Sequence, residues 1–136
     1  MKKKYKKINP QLGMPTTLLF QQYGSLLWDA FDEVPYHVGS SLVCNKWRDV
    51  DVRIILPDDE YKKIYGNPAR PHENARWVAT VLAFSLLGKT ITGLPIDFQI
   101  QSMTEANKDK GARSAIGIIP SRIATFKENS NLNKRR

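Results

Sequence analysis

The segment Asp49-Val50-Asp51-Val52-Arg53-Ile54-Ile55-Leu56 constrains the fold of this chain more than any other. β-Branched residues dominate it, and polar and apolar positions alternate at its start, the pattern of a strand with one face against a core. Asp49, Asp51 and Arg53 then share one face, and Val50, Val52 and Ile54 share the other. Two carboxylates close together on a strand repel each other, and neither is cheaply buried. A cation between them converts repulsion into coordination, and hard oxygen ligands suit Mg²⁺. Just upstream, Val38-Gly39-Ser40-Ser41 reads as a turn whose amides and hydroxyls can hold phosphate.

A second alternating segment lies far downstream. In Ile96-Asp97-Phe98-Gln99-Ile100-Gln101 the apolar residues face one way, and Asp97, Gln99 and Gln101 face the other. Between and around these strands the chain reads as helices. Leu19, Tyr23, Leu26, Leu27 and Ala30 recur at helical spacing from Pro15 to Phe31. Pro35 stops that helix, and Tyr36-His37-Val38 reads as a short strand entering Gly39. Ser40 to Trp47 reads as a turn with one helical turn in it. A short helix is expected over Glu60–Tyr65, closed by Gly66-Asn67-Pro68. A stronger one is expected from Pro71 to about Leu87, with Gly88 and Gly93 closing the section. Its apolar residues cover so much of the circumference that it is expected to be largely buried. A short helix then runs to Lys110, and Gly111 to Arg122 reads as a loop with an apolar patch over Ile116 to Ile119. The predicted architecture is α/β (α+β), a small mixed sheet with helices packed on one face, so that Asp49, Asp51 and Asp97 converge on the other.

At 136 residues the chain holds one real core. The expected division is a basic tail over 1–13, a domain over 14–126 and a second basic tail over 127–136. The net charge of +8 resides in those tails: Lys2, Lys3, Lys4, Lys6 and Lys7 at one end, and Lys134, Arg135 and Arg136 at the other. The remaining charges balance, so any polyanion contact, with nucleic acid for example, belongs to the tails. A single cysteine, Cys44, forms no internal disulfide, which suits a reducing compartment. The longest apolar run, Trp77 to Gly88, is too short to span a bilayer, and no apolar stretch follows the N-terminal lysines. A cytoplasmic location without membrane contact is expected.

Taken together, Val38-Gly39-Ser40, Asp49-Val50-Asp51-Val52 and a lone Asp97 on a later strand resemble the nucleotidyltransferase superfamily typified by DNA polymerase beta. The family pattern is a hydrophobic residue, Gly, Gly or Ser, a spacer, an Asp-x-Asp or Asp-x-Glu strand, and a third carboxylate further on. The match covers roughly residues 36 to 101. The spacer Ser41 to Arg48 is slightly shorter than most members carry, and Arg48 stands where many small members have Ser or Thr. The resemblance implies that Asp49 and Asp51 ligate Mg²⁺ (or Mn²⁺) holding a nucleoside triphosphate such as ATP. Asp97 would ligate the catalytic ion and help activate the acceptor hydroxyl. Gly39, Ser40 and Ser41 would contact the phosphates. The acceptor is expected on a protein, a small molecule or a nucleic acid, with pyrophosphate released, and templated synthesis is not expected from so short a chain.

Each residue also has a plainer reading. Lys46, Arg48 and Arg53 either bind triphosphate or pair with the neighbouring carboxylates. His37 either meets phosphate or packs inside the strand, and His72 most simply caps a helix. His37, His72 and Cys44 lack zinc spacing. Arg113, Ser114 and Arg122 are candidates for a phosphate or acceptor contact, and Gln99 and Gln101 for reading a base or acceptor. Trp47 and Trp77 read as core residues. The alternative function, from a different class, is a catalytically inactive module of the same fold that binds nucleic acid or a protein partner through its basic tails.

Overall fold

The computed structural model describes residues 12–117. The basic tails up to residue 11, the C-terminal tail and Arg122 lie outside the described residues. The packed body begins earlier than the sequence division suggests, because Leu12 is buried in the core.

Helix α1, Thr16–Phe31, buries Phe20, Tyr23, Gly24 and Leu27, the i, i+3, i+4, i+7 stripe of an amphipathic helix. Strand β1, Tyr36–Val38, leads through Gly39 into the single turn α2, Ser40–Val43. Strand β2 spans Val50–Leu56 and is followed by α3, Asp58–Tyr65, whose first turn carries Asp58, Asp59 and Glu60 where the helix dipole favours them. A 3₁₀ turn over Pro71–Glu73 precedes α4, Ala75–Thr92. The Asn74 side chain caps α4 by accepting the Trp77 amide at 2.9 Å. Strand β3, Ile96–Ser102, the short α5, Met103–Ala106, and strand β4, Arg113–Ala115, complete the described chain.

The four strands form one mixed sheet in the order β3-β2-β1-β4. β1 runs antiparallel to β2 and β4, and β2 runs parallel to β3. A parallel neighbour requires a long crossover, which α3 and α4 supply. The mixed α/β architecture read from the sequence is therefore the observed one. Alternation does what it predicts: Val50, Val52 and Ile54 join Ile96, Phe98 and Ile100 in the core, while Asp51, Arg53, Asp97, Gln99 and Gln101 stay partly exposed on the other face. Helices α1 and α4 cover the apolar face. Phe31, Phe84 and Phe98 cluster with ring centroids 5.0 to 5.7 Å apart, and the buried Tyr23 hydroxyl donates to the Phe84 carbonyl at 2.7 Å.

Three expectations are corrected. Gly88 does not close α4, which continues to Thr92 and ends where Gly93 turns left-handed. Gly88 lies inside the helix because the chains approach too closely for a side chain there: a Cβ would sit 2.8 Å from both Tyr23 and Ile96. Nor is α4 buried all round, since Leu82 and Leu86 are more than half exposed. Its apolar residues exceed what one sheet and one helix can cover. Finally, the expected loop after Gly111 contains β4, which forms by pairing with β1 in the register Tyr36↔Ala115 and Val38↔Arg113.

Strand β3 is a sheet edge, and α4 occupies its open hydrogen-bonding side. The Ser85 hydroxyl accepts the Phe98 amide and the Trp77 indole donates to the Ile100 carbonyl, each at 3.0 Å. Edge groups tied to side chains cannot template another strand. The close helix approach at Gly88 gives a direct test. Gly88→Ala is expected to lose about 1–3 kcal/mol of stability in urea unfolding through overpacking, despite alanine's better helix propensity. An unchanged unfolding midpoint would remove the close-approach explanation for this glycine.

Candidate functional site

The site forms where β1 ends and β2 and β3 begin. Parallel pairing places Asp51 directly beside Asp97 and Arg53 beside Gln99. Antiparallel pairing places Val38 beside Asp51 on the other side, which delivers Gly39 to the carboxylate. Gly39 has φ +79° and ψ −164°, a conformation that only glycine adopts readily. A Cβ at Gly39 would lie 2.3 Å from Asp51 Oδ2. The backbone turn and the carboxylate are thus in contact because residue 39 has no side chain.

Arg53 lies on the same face of the sheet. Its Nη1 donates to the Asp97 carbonyl at 2.7 Å and the Val52 carbonyl at 3.0 Å. Its Nη2 stands 3.8 Å from Asp51 Oδ1 and 3.7 Å from Asp97 Oδ2. The three side chains are 13% (Arg53), 25% (Asp51) and 37% (Asp97) exposed, so water screens them only in part. Burial raises the Asp51 carboxyl above its ordinary value. Arg53 opposes that shift, while Asp97 and, more weakly, Asp49 reinforce it. Gln99 donates to Asp97 Oδ1 at 3.2 Å, which orients the carboxylate instead of leaving the amide free to read a ligand.

No family model, curated protein or solved structure matches the chain.

Of the three carboxylates expected to converge, two do so. Asp49 lies in a bend before β2 and is exposed. Among the described residues no group of three His, Cys, Asp or Glu side chains could hold a metal ion. Asp51 and Asp97 nevertheless suit Mg²⁺, which keeps several waters and takes one or two carboxylates together with substrate phosphates. A like-charged, partly buried pair is also a donor set that gains most from an added cation.

Beside the pair opens a cleft of about 610 Å³ lined by Ser40, Lys46, Trp47, Arg48, Asp49 and Asp51. Ser40 is exposed there, and Lys46 and Arg48 supply positive charge for an anionic ligand. Ser41 differs from expectation. It is fully buried, and its hydroxyl lies 2.6 Å from His37 Nε2, so its side chain anchors the turn from within and does not line the cleft. Of the two roles expected for Arg53, it takes the pairing one: Nη1 is bonded to sheet carbonyls and Nη2 faces the Asp51 and Asp97 carboxylates. The residue that sequence reasoning undervalued is His37. The sequence left it open between phosphate contact and packing; the fold buries it opposite Val52, and no sequence signal tied it to Ser41.

The other candidates separate cleanly. Trp77 is bonded to β3, and Trp47 packs partly buried against the core while also lining the cleft. His72 is exposed in the 3₁₀ turn, and Cys44 is exposed just after α2. Arg113 donates to the Ala106 carbonyl at 2.7 Å and Asn107 Oδ1 at 3.1 Å, and Ser114 pairs with His37 in the sheet. No helix among the described residues is long and apolar enough to cross a membrane.

Two outcomes follow from this geometry. Burial lowers the His37 pKa from its ordinary 6.5 to about 4. Between those values the unfolded chain holds more protons, so stability rises with pH and is lost on acidification from 6.5 towards 4. The loss attributable to His37 is on the order of 3 kcal/mol. Urea unfolding at several pH values should show this difference shrinking in His37→Gln; equal pH profiles would exclude the assignment. Gly39→Ala should displace the Asp51 carboxylate and cost ~1–3 kcal/mol in thermal or urea unfolding. A crystal structure of the variant with Asp51 unmoved would contradict the contact.

Proposed function

We propose that the protein is a metal-dependent nucleotidyltransferase that moves a nucleoside monophosphate from a nucleoside triphosphate to a hydroxyl acceptor and releases pyrophosphate. The observation that carries this reading is the pairing of Asp51 with Asp97 across two parallel strands, with the Gly39 turn pressed against Asp51. Asp51 and Asp97 would hold Mg²⁺ or Mn²⁺, with exposed Asp49 at the rim able to add a ligand. When bound, the ion supplies charge neutralisation for an in-line displacement at the α-phosphate.

The chain's own residues have separate tasks. The backbone at Gly39 lets phosphate approach closely, and the Ser40 hydroxyl donates to it. Lys46 and Arg48, across the cleft, offset the negative charge of a triphosphate. Asp97 would orient the acceptor hydroxyl and receive its proton. The acceptor belongs to a protein, a small molecule or a nucleic acid.

A second reading draws on Arg53. A guanidinium already facing both carboxylates suits a catalytically inactive module, in which the pair is structural and the basic tails bind nucleic acid or a partner. Incubation of the full chain with labelled nucleoside triphosphates, Mn²⁺ and candidate acceptors separates the two. Under the first reading label transfer occurs, and Asp51→Asn or Asp97→Asn reduces it by at least ~10²-fold, the scale of removing one electrostatic stabiliser. Asp49→Asn has a smaller effect. Nucleic-acid binding that survives all three substitutions, weakens steeply with salt and accompanies no transfer would establish the second.

A further inference from the structure

We infer that Arg53 is a resident counter-cation: it keeps the Asp51–Asp97 pair folded in the absence of a metal ion and, by remaining beside the pair, weakens its affinity for one. This deepens the metal-dependent reading above and rests on it. The geometry has two halves. Arg53 Nη1 is fixed by two backbone carbonyls, at 2.7 Å on Asp97 and 3.0 Å on Val52, so the guanidinium is locked into the sheet. Its Nη2 faces both carboxylates at 3.8 and 3.7 Å, close enough to neutralise charge but beyond hydrogen-bonding distance. The carboxylate oxygens therefore keep lone pairs for another ligand, and an arriving ion meets a fixed positive charge.

The consequence is a site that exists before any ion binds and releases ions readily. Without Arg53 two partly buried carboxylates would face each other uncompensated, and the start of the β2–β3 pairing would depend on an ion. With it, ion and guanidinium share the pair, and tight occupancy requires a further anion to balance the charge. A triphosphate beside Lys46 and Arg48 would bring that anion, so metal and nucleotide are expected to bind cooperatively.

The test uses the full chain, Mn²⁺ as probe, paramagnetic resonance of the free ion for binding, and thermal unfolding for stability. Arg53→Gln removes the charge while retaining a donor for the carbonyls, and Arg53→Lys retains the charge. Arg53→Gln is expected to lower the melting temperature without Mn²⁺, to regain it with Mn²⁺, and to bind Mn²⁺ at least ~10-fold more tightly than the wild type. Arg53→Lys should keep wild-type affinity, and Arg53→Gln combined with Asp97→Asn should lose the gain. Saturable Mn²⁺ binding by the wild type with no tightening in Arg53→Gln would overturn the role of Arg53 and leave the carboxylate-pair reading intact. Weaker binding in both single variants would overturn it as well, pointing to backbone support alone, as would an Arg53→Gln protein that Mn²⁺ does not restabilise. An absence of Mn²⁺ binding in the wild type and Arg53→Gln alike would overturn the metal-dependent reading together with this inference.

Discussion

Two negative charges held side by side across β2 and β3 are the constraint around which this structure is arranged. The Asp51↔Asp97 register follows from the parallel pairing, and the parallel pairing follows from α3 and α4 crossing over between the strands. Period-two alternation then permits no compromise. A one-residue slip of β3 would put Ile96 and Phe98 on the open face and drive the Asp97 carboxylate into the apolar layer. The register that buries the core is the register that juxtaposes the acids. The repulsion it creates is met locally by Arg53, two residues along the same strand and hence on the same face.

The glycine turn depends on that arrangement from the other side. β1 is only three residues long, too short to fix its own position, yet its end must lie within contact of Asp51. Pairing with β2 and β4 holds it in the sheet, and the buried His37–Ser41 contact holds the following turn down. His37 stays neutral for the same reason that the turn is firm: it is enclosed, with the Phe20 ring edge-on at 5.2 Å. A turn anchored from below leaves its upper surface, at Gly39 and Ser40, free for contact. Core packing and site geometry are thus joined through one side-chain pair.

The parts of this legible in the sequence were those governed by strict alternation or by a strong stop signal. β2 and β3, the facing of their side chains and the pairing of Asp51 with Asp97 required only period-two reading plus a sheet. Pro35, Gly39 and the Gly66-Asn67-Pro68 run marked boundaries that the structure keeps. What escaped was set by tertiary contact. Arg113-Ser114-Ala115 has no strand propensity of note and becomes β4 because β1 offers a free edge. Gly88 reads as a terminator in isolation, and only the packing of Tyr23 and Ile96 explains it within a helix. Asp49 fits the alternation, but the strand begins one residue later, and Asp49 lies exposed at the rim of the cleft that Asp51 also lines. The role of Ser41 escaped for a related reason, since a serine there suits phosphate and only the fold reveals that its hydroxyl is already engaged; for Arg53 both roles were legible, and the fold selects pairing with the carboxylates.

The energetics of the open sheet face bear on whether its acids are structural ornaments. Apolar residues are accommodated there without difficulty, as Ile55 shows on the same strand. A Val or Thr at 51 and 97 would remove the repulsion, the desolvation that raises the Asp51 pKa and the need for Arg53 to neutralise anything. It would also suit strand propensity better than Asp does. The observed solution is thus the costlier one at three neighbouring positions, with a fourth, Gly39, in a backbone conformation that most residues avoid. Local cost concentrated in one place and compensated within it is the usual mark of a position retained for binding or chemistry. Since the expense falls on oxygen donors and on a backbone turn, it is the kind of cost that the proposed binding of a hard cation with phosphate would offset.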